Sequence, residues 1–281
     1  MNHYSVATAT SLFHQPDQQL WQRDVPTRAQ FQPLLMHSLL AVAALHKAYA
    51  EPEAQRAEYC TRALQHHQAG LQLFQARLGH ISTDQDSADL FTFSLLLVVW
   101  LYAWPALAPD RRDIDSDARL TRILGTLSLA RGCKTILDLQ MSSITSVPTG
   151  IQDALAQLRQ RTADSVHLSA IAQLECLIGL AWRDRDDPRV AIAWPCLLEE
   201  EFWTQVAYRD PMALLILVHY AAFLQMYHRC WWLEGWADMI LRAVDETIPE
   251  QDKIALDFNQ VTTQISAEFQ RVANLFEPET H

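Results

Sequence analysis

Glycine is scarce in this sequence, at 7 of 281 residues, or about 2.5% against roughly 7% in an average protein. Phosphate-binding loops, tight βα turns and β-hairpins all depend on Gly. A nucleotide-binding α/β fold and a β-sandwich are therefore disfavoured. Disorder is also disfavoured, because 49% of the residues are hydrophobic and only 20% are charged. The composition predicts an all-α protein.

Cysteine pairs and catalytic motifs are missing as well. The closest of the five Cys, Cys176 and Cys196, are 20 residues apart, so no CxxC pair or zinc-ligand spacing occurs. GxSxG, HExxH, GxGxxG and Walker motifs do not occur either. We therefore assign no catalytic residue, metal ligand or cofactor. The first residues also lack a signal-peptide pattern, so we expect a reducing compartment, the nucleus or the cytoplasm.

Basic charge is in short supply, with 22 Lys and Arg against 33 Asp and Glu, for a net charge of −11. Nucleic-acid binding needs a basic face that neutralises phosphates, and no Lys/Arg cluster of that kind is visible. Direct contact with nucleic acid is disfavoured. Contact with an anionic membrane surface is disfavoured for the same reason.

Two runs, 90–109 and 211–228, carry no Asp, Glu, Lys or Arg and are long enough to span a membrane. Both contain polar side chains and lack a clear basic flank. An apolar-all-round helix is also typical of the middle of a large helical domain. We predict buried apolar central helices rather than membrane spans.

The rest of the chain predicts a single multi-helix domain. Residues 1–30 are polar and mixed, which predicts a flexible N-terminal arm. The helical period begins after Pro33, and residues 31–275 form the predicted α-helical domain.

Later helices are predicted where the apolar period resumes. We expect Trp194 and Pro195 to open one helix, and two more to span 230–247 and 251–275.

Large aromatic side chains are plentiful, with nine Trp in the chain. Three of them, Trp231, Trp232 and Trp236, fall within six residues, and each indole N–H needs a partner when buried. A largely apolar cavity with few polar groups is typical of small-molecule sites. The candidate ligand-binding residues are Phe93, Leu97, Trp100, Tyr220, Leu224, Trp231, Trp232 and Trp236, with plain core packing open for each. His46, His66 and His219 lie on otherwise apolar helix faces. Each is interpreted either as a core histidine or as a ligand contact.

Several runs also occur in a recognisable order. They are 35–46 (LMHSLLAVAALH), the spaced set Tyr59, Ala63, His66 and Ala69, 90–96 (LFTFSLL), 194–195 (WP), 210–220 (DPMALLILVHY) and 231–237 (WWLEGWA). Together they resemble the fungal-specific regulatory domain of sterol uptake control proteins, which are zinc-cluster (Zn2Cys6) transcription factors. The resemblance implies an all-α domain that senses a lipophilic molecule, either a sterol or a secondary metabolite such as a polyketide or terpenoid.

The family's DNA-binding module is a six-cysteine zinc cluster, which this sequence does not contain. The chain is then a truncated factor, an incomplete reading of its gene, or a free-standing regulator. We expect a transcription regulator-like domain that does not itself bind DNA and acts through a protein partner that does. A homodimer is also left open.

Two other functions stay open. One is an enzyme recruited from this fold, such as a cyclase or isomerase that acts on an apolar metabolite through His219, Tyr220 and Glu234. The other is a pure protein-interaction domain. We also predict that Gly235→Asp disturbs regulation, because it places an unpaired charge beside the Trp-rich segment.

Overall fold

The structure is a computed structural model that describes residues 1–13, 18–78, 84–108, 116–131, 147–183 and 187–274. All regular secondary structure within these residues is helical, which confirms the predicted all-α fold. The chain divides into two compact units. The first comprises Met1–Asp113 and Arg229–Glu234, and the second Ile114–His228 and Gly235–His281. The predicted domain over 31–275 stays a prediction.

The first unit begins with short helical turns and continues into longer helices. The turns are Tyr4–Thr8, Ala9–Ser11 and Leu20–Asp24, and the helices are α1 (Val25–Ala29), α2 (Pro33–Ala50), α3 (Glu53–Leu78) and α4 (Asp84–Leu107). Helix α2 packs along α3 and α4. Pro33 occupies the first turn of α2, as predicted, because its missing N–H would be unpaired there anyway.

The described part of the predicted flexible arm is helical. Tyr4, Leu12 and Trp21 are at most 2% exposed. Arg28 of α1 forms an ion pair with the fully buried Asp89 of α4. A few large side chains and one arginine thus anchor a stretch whose average polarity predicts flexibility.

The second unit contains the remaining helices. They are α5 (Ser116–Arg131), α6 (Thr149–Gln160), α7 (Ser165–Arg183), α8 (Pro188–Leu197), α9 (Glu200–Ala207), α10 (Pro211–Leu224), the turn Gln225–Tyr227, α11 (Trp236–Thr247), α12 (Glu250–Ala255) and α13 (Phe258–Asn274). Helix α10 is central, since every residue from Met212 to Leu224 is buried. The side chain of Asp210 accepts a hydrogen bond of 2.8 Å from the Ala213 N–H and caps its start.

The predicted buried apolar central helices are confirmed by α4 and α10. Among the residues that the structure describes, two helices are long and apolar enough to cross a membrane, Asp84–Leu107 and Ser165–Arg183. Within the protein, 61% and 44% of their apolar windows are buried. Core helices pass the same length and hydropathy test, so this finding alone does not indicate a membrane span.

Some predicted helix boundaries are wrong. Trp194 and Pro195 lie in the last turn of α8 instead of opening a helix. The helix predicted over 230–247 begins only at Trp236, because Gly235 has a left-handed φ of 80°. The helix predicted over 251–275 is broken at Asp257, whose φ is 50°.

Candidate ligand-binding site

A groove opens between α2 and α3 in the first unit, and we call it the α2–α3 groove. Its volume is about 210 Å³. It combines apolar side chains with cationic, phenolic and imidazole groups. The lining residues are Met1, His3, Leu40, Ala43, Ala44, Lys47, Tyr59, Arg62 and His66. It is therefore an amphipathic surface site.

Helical spacing explains why these residues meet. Leu40, Ala43, Ala44 and Lys47 follow one another at i, i+3, i+4 and i+7, so they share one face of α2. Tyr59, Arg62 and His66 have the equivalent spacing on α3. The two alanines provide the space, because a larger side chain at either position would extend toward α3.

Two cations lie beside the Tyr59 ring. Lys47 Nζ donates a 3.3 Å hydrogen bond to the Tyr59 hydroxyl and lies 5.0 Å from the ring centroid. The Arg62 guanidinium carbon lies 5.8 Å from the same centroid. The hydrogen bond that Lys47 donates to the Tyr59 hydroxyl raises the pKa of this lysine, so the ammonium stays charged at neutral pH. Glu51 pairs with Lys47 and Glu58 with Arg62, each one helical turn away.

A histidine pair joins α2 to α3 beside the groove. Nδ1 of His37 and Nδ1 of His66 are 3.0 Å apart, so one ring donates and the other accepts. Burial, followed by the charge of His37, lowers the pKa of His66. Burial, followed by the charge of Lys47, lowers the pKa of His3. At neutral pH His3 and His66 therefore act as polar neutral groups, and Lys47 and Arg62 contribute positive charge to the lining.

His46 belongs to an aromatic cluster in the same unit. Its ring stacks on Trp231 with centroids 4.8 Å apart, and its Nδ1 lies 3.0 Å from the Thr8 hydroxyl. Burial lowers the pKa of His46 to about 4. The indole N–H of Trp231 donates to the Ser11 hydroxyl over 3.1 Å. The polar groups of this cluster therefore find partners within the protein.

The structure places five of the eight predicted ligand-binding residues in the first unit: Phe93, Leu97, Trp100, Trp231 and Trp232. Phe93 stacks on Phe74 at 4.7 Å, and Leu97 packs against their cluster. Trp100 stacks between His67 and Trp104, at 4.1 and 5.0 Å. The indole N–H of Trp232 donates to the Leu12 carbonyl over 3.4 Å.

Tyr220, Leu224 and Trp236 lie in the second unit and are buried there. The Tyr220 hydroxyl donates to the Ala191 carbonyl over 3.0 Å, and its ring stacks on Trp194 at 4.6 Å. A role as ligand contacts for the eight residues stays a prediction. Sequence reasoning missed the groove residues Leu40, Ala43 and Ala44. The only signal of the two alanines is small size at helical spacing.

Metal-ligating side chains do not cluster in the part of the chain that the structure describes: no three His, Cys, Asp or Glu there could hold an ion together. Cys60, Cys176, Cys196 and Cys230 are not joined in disulfides. What the groove offers is therefore apolar contact together with two fixed positive charges.

A comparison with protein families finds one match that bears on this site. The family model of the fungal specific transcription factor domain matches residues 1–106. No curated protein matches the chain. The matched segment contains α2 and α3, and therefore every residue that lines the α2–α3 groove. The match indicates a role in transcription regulation.

Proposed function

We propose that this chain is a regulatory domain that senses a lipophilic small molecule in the α2–α3 groove and controls transcription. The observation that carries the proposal is an amphipathic groove lying wholly within the segment that matches the transcription factor domain. A sterol and a secondary metabolite are the expected classes of lipophile. The nucleus and cytoplasm are the expected locations.

The groove's dimensions limit how much of a ligand it encloses. Pockets that surround a drug-sized molecule measure about 300–1,000 Å³, whereas this groove measures about 210 Å³. It therefore accepts one end or one edge of a lipophile. The Ala43 and Ala44 side of the groove would contact hydrocarbon.

The charges indicate which ligands the groove favours. Lys47 and Arg62 can each donate to a carboxylate, and such charge-assisted hydrogen bonds are stronger than neutral ones. An amphiphile with an acidic head and an apolar chain complements both parts of the lining. A neutral sterol would use the apolar contacts and the polar Tyr59 hydroxyl.

DNA contact is assigned to a protein partner in this proposal. A chain with 33 acidic and 22 basic residues repels a phosphate backbone unless its cations are concentrated on one face. The groove contributes two cations, Lys47 and Arg62, which are fewer than such a face needs. We therefore place the DNA-binding surface on the partner.

The test is ligand binding by the purified protein, measured by native mass spectrometry and thermal shift. The probes are oleate, oleyl alcohol and ergosterol, so that chain, charge and ring system are varied separately. Wild-type protein should bind at least one of them at a ratio of one to one. No binding of any probe, together with an empty solvent extract from the native protein, would overturn the proposal.

Variants locate the binding. Ala44→Phe fills the groove and should abolish binding, while Ala57→Phe places the same ring on an exposed part of α3 and should not. If oleate is the ligand, Lys47→Gln should weaken oleate binding by about 10- to 150-fold and leave oleyl alcohol unaffected, because one charge-assisted hydrogen bond contributes about 1.5–3 kcal/mol. Binding that survives Ala44→Phe would place the site elsewhere.

A further inference from the structure

A narrow cleft in the second unit lies between α6 and α13 and ends at His219 of α10. We call it the His219 cleft. Apolar and polar side chains line it in equal number, including exposed Gln side chains from both helices, and its volume is about 10 Å³. The lining residues are Ala154, Gln157, Leu158, Arg161, His219, Val261, Gln264 and Ile265.

The hydrogen bonding of His219 fixes which ring nitrogen carries the proton. Nδ1 lies 2.8 Å from the Leu215 carbonyl oxygen, one turn earlier in α10. A carbonyl only accepts, so Nδ1 carries the hydrogen and Nε2 presents a lone pair. Burial lowers the pKa of His219 to about 4, so the ring is neutral at pH 7. Nε2 is therefore a hydrogen-bond acceptor and cannot donate.

This acceptor has no protein partner among the described residues. His219 is 1% exposed, and its buried Nε2 meets no donor. Arg161, the cation of the cleft, donates instead to the Leu256 carbonyl over 2.7 Å and lies 3.9 Å from Asp257. Buried polar atoms are nearly always hydrogen-bonded, so an unpaired acceptor at the end of a cleft indicates a ligand.

We infer that the His219 cleft binds a hydroxyl group, which donates a hydrogen bond to Nε2. A volume of about 10 Å³ is close to what one water occupies by this measure. A slim primary alcohol can bring its hydroxyl to the same point while its chain lies along Leu158 and Ile265. Carboxylates, ethers and ketones are excluded at this position, because they present only acceptors to an acceptor.

The test observes the imidazole nitrogens of His219 directly, by long-range ¹H–¹⁵N NMR at pH 7. We expect the Nδ1–H tautomer, with Nε2 at the chemical shift of a nitrogen that accepts a hydrogen bond. The probes are 1-butanol and 1-methoxybutane, which share a chain and differ in the O–H donor. A shift of Nε2 with butanol and none with the ether identifies an alcohol as the ligand.

Three other results are decisive. A hydrogen-bonded Nε2 that ignores butanol also supports the hydroxyl site and identifies water as its occupant. An Nε2 at the shift of a free lone pair, unchanged by either probe, would overturn the inference. So would the opposite tautomer, with the hydrogen on Nε2.

A cleft-filling variant tests the position while leaving His219 intact. Ala154→Leu adds three carbons to the cleft wall and should move Nε2 to the free-lone-pair shift and abolish any response to butanol. Ala156→Leu makes the same change at an exposed position of α6 and should behave like the wild type. Far-UV circular dichroism establishes that both variants fold, and a wild-type Nε2 signal in Ala154→Leu would refute the assignment.

Discussion

The ion pair between Arg28 and Asp89 allows a quantitative test of how the N-terminal segment is held. The Asp89 side chain is 0% exposed and the Arg28 side chain 28% exposed. Removing one partner of a fully buried pair costs about 3–5 kcal/mol, and an exposed pair contributes about 0–1 kcal/mol. In Arg28→Met the carboxylate keeps one donor, the Gln85 amide at 3.1 Å, so we expect a loss of about 2–3 kcal/mol.

The assay is a double-mutant cycle that combines Arg28→Met with Asp89→Asn. The free energy of unfolding in urea is measured for each protein by circular dichroism. Hydrogen exchange of the α4 amides identifies the transition that belongs to the first unit, because two units need not unfold together. Arg28→Met should cost less than about 1 kcal/mol in the Asp89→Asn background. Arg62→Met, which breaks an exposed pair with Glu58, is the matched control and should cost less than about 0.5 kcal/mol. A coupling energy below about 0.5 kcal/mol between Arg28 and Asp89 would refute the reasoning.

Substitutions at three further positions, 235, 219 and 11, test other parts of the structure. Gly235→Ala should cost about 1–2 kcal/mol in thermal unfolding, because φ is 80° there. Gly235→Asp should cost no more, since position 235 is exposed and nothing lies within 4 Å of an added Cβ; a much larger cost would restore the unpaired-charge explanation. Unfolded His binds a proton near pH 6.5, and the folded pKa of His219 is lowered to about 4, so stability is greatest above pH 6.5 and falls as the pH drops toward 4. Protonation of His219 alone should lower the free energy of unfolding by on the order of 3 kcal/mol over that range. A melting temperature that depends on pH in His219→Leu as strongly as in the wild type would contradict this. Ser11→Ala removes the acceptor of the Trp231 N–H and should cost about 1 kcal/mol with a change in tryptophan fluorescence, and an unchanged spectrum would indicate that this hydrogen bond does not form.

The helices were predictable where local signals agree. Asp210 and Pro211 indicate the start of α10, and the apolar run that follows predicts a helix that is buried on all sides. Pro33 does the same for α2. Boundaries failed where a left-handed residue interrupts the helical pattern, as at Gly235 and Asp257, because hydrophobic period alone does not report φ.

The groove and the N-terminal segment depend on partners that are distant in sequence. His37 and His66 lie on different helices, 29 positions apart. Trp231 and Ser11 are 220 positions apart. The small size of Ala43 and Ala44 creates a groove only because α3 packs alongside α2. The hydrophobic periodicity of single helices predicts none of these contacts.

The position of unpaired polar groups separates core from binding site more sharply than aromatic content does. A buried indole N–H needs a hydrogen-bond partner, and for the Trp-rich segment the sequence leaves both a ligand pocket and plain core packing open. In the structure Ser11 and the Leu12 carbonyl accept from Trp231 and Trp232, so these two donors require no ligand. Nε2 of His219, in contrast, has no protein partner among the described residues, and it lies at the end of a cleft on a helix that is otherwise buried and apolar. A buried acceptor without a donor is costly, and a hydroxyl ligand in the cleft supplies that donor.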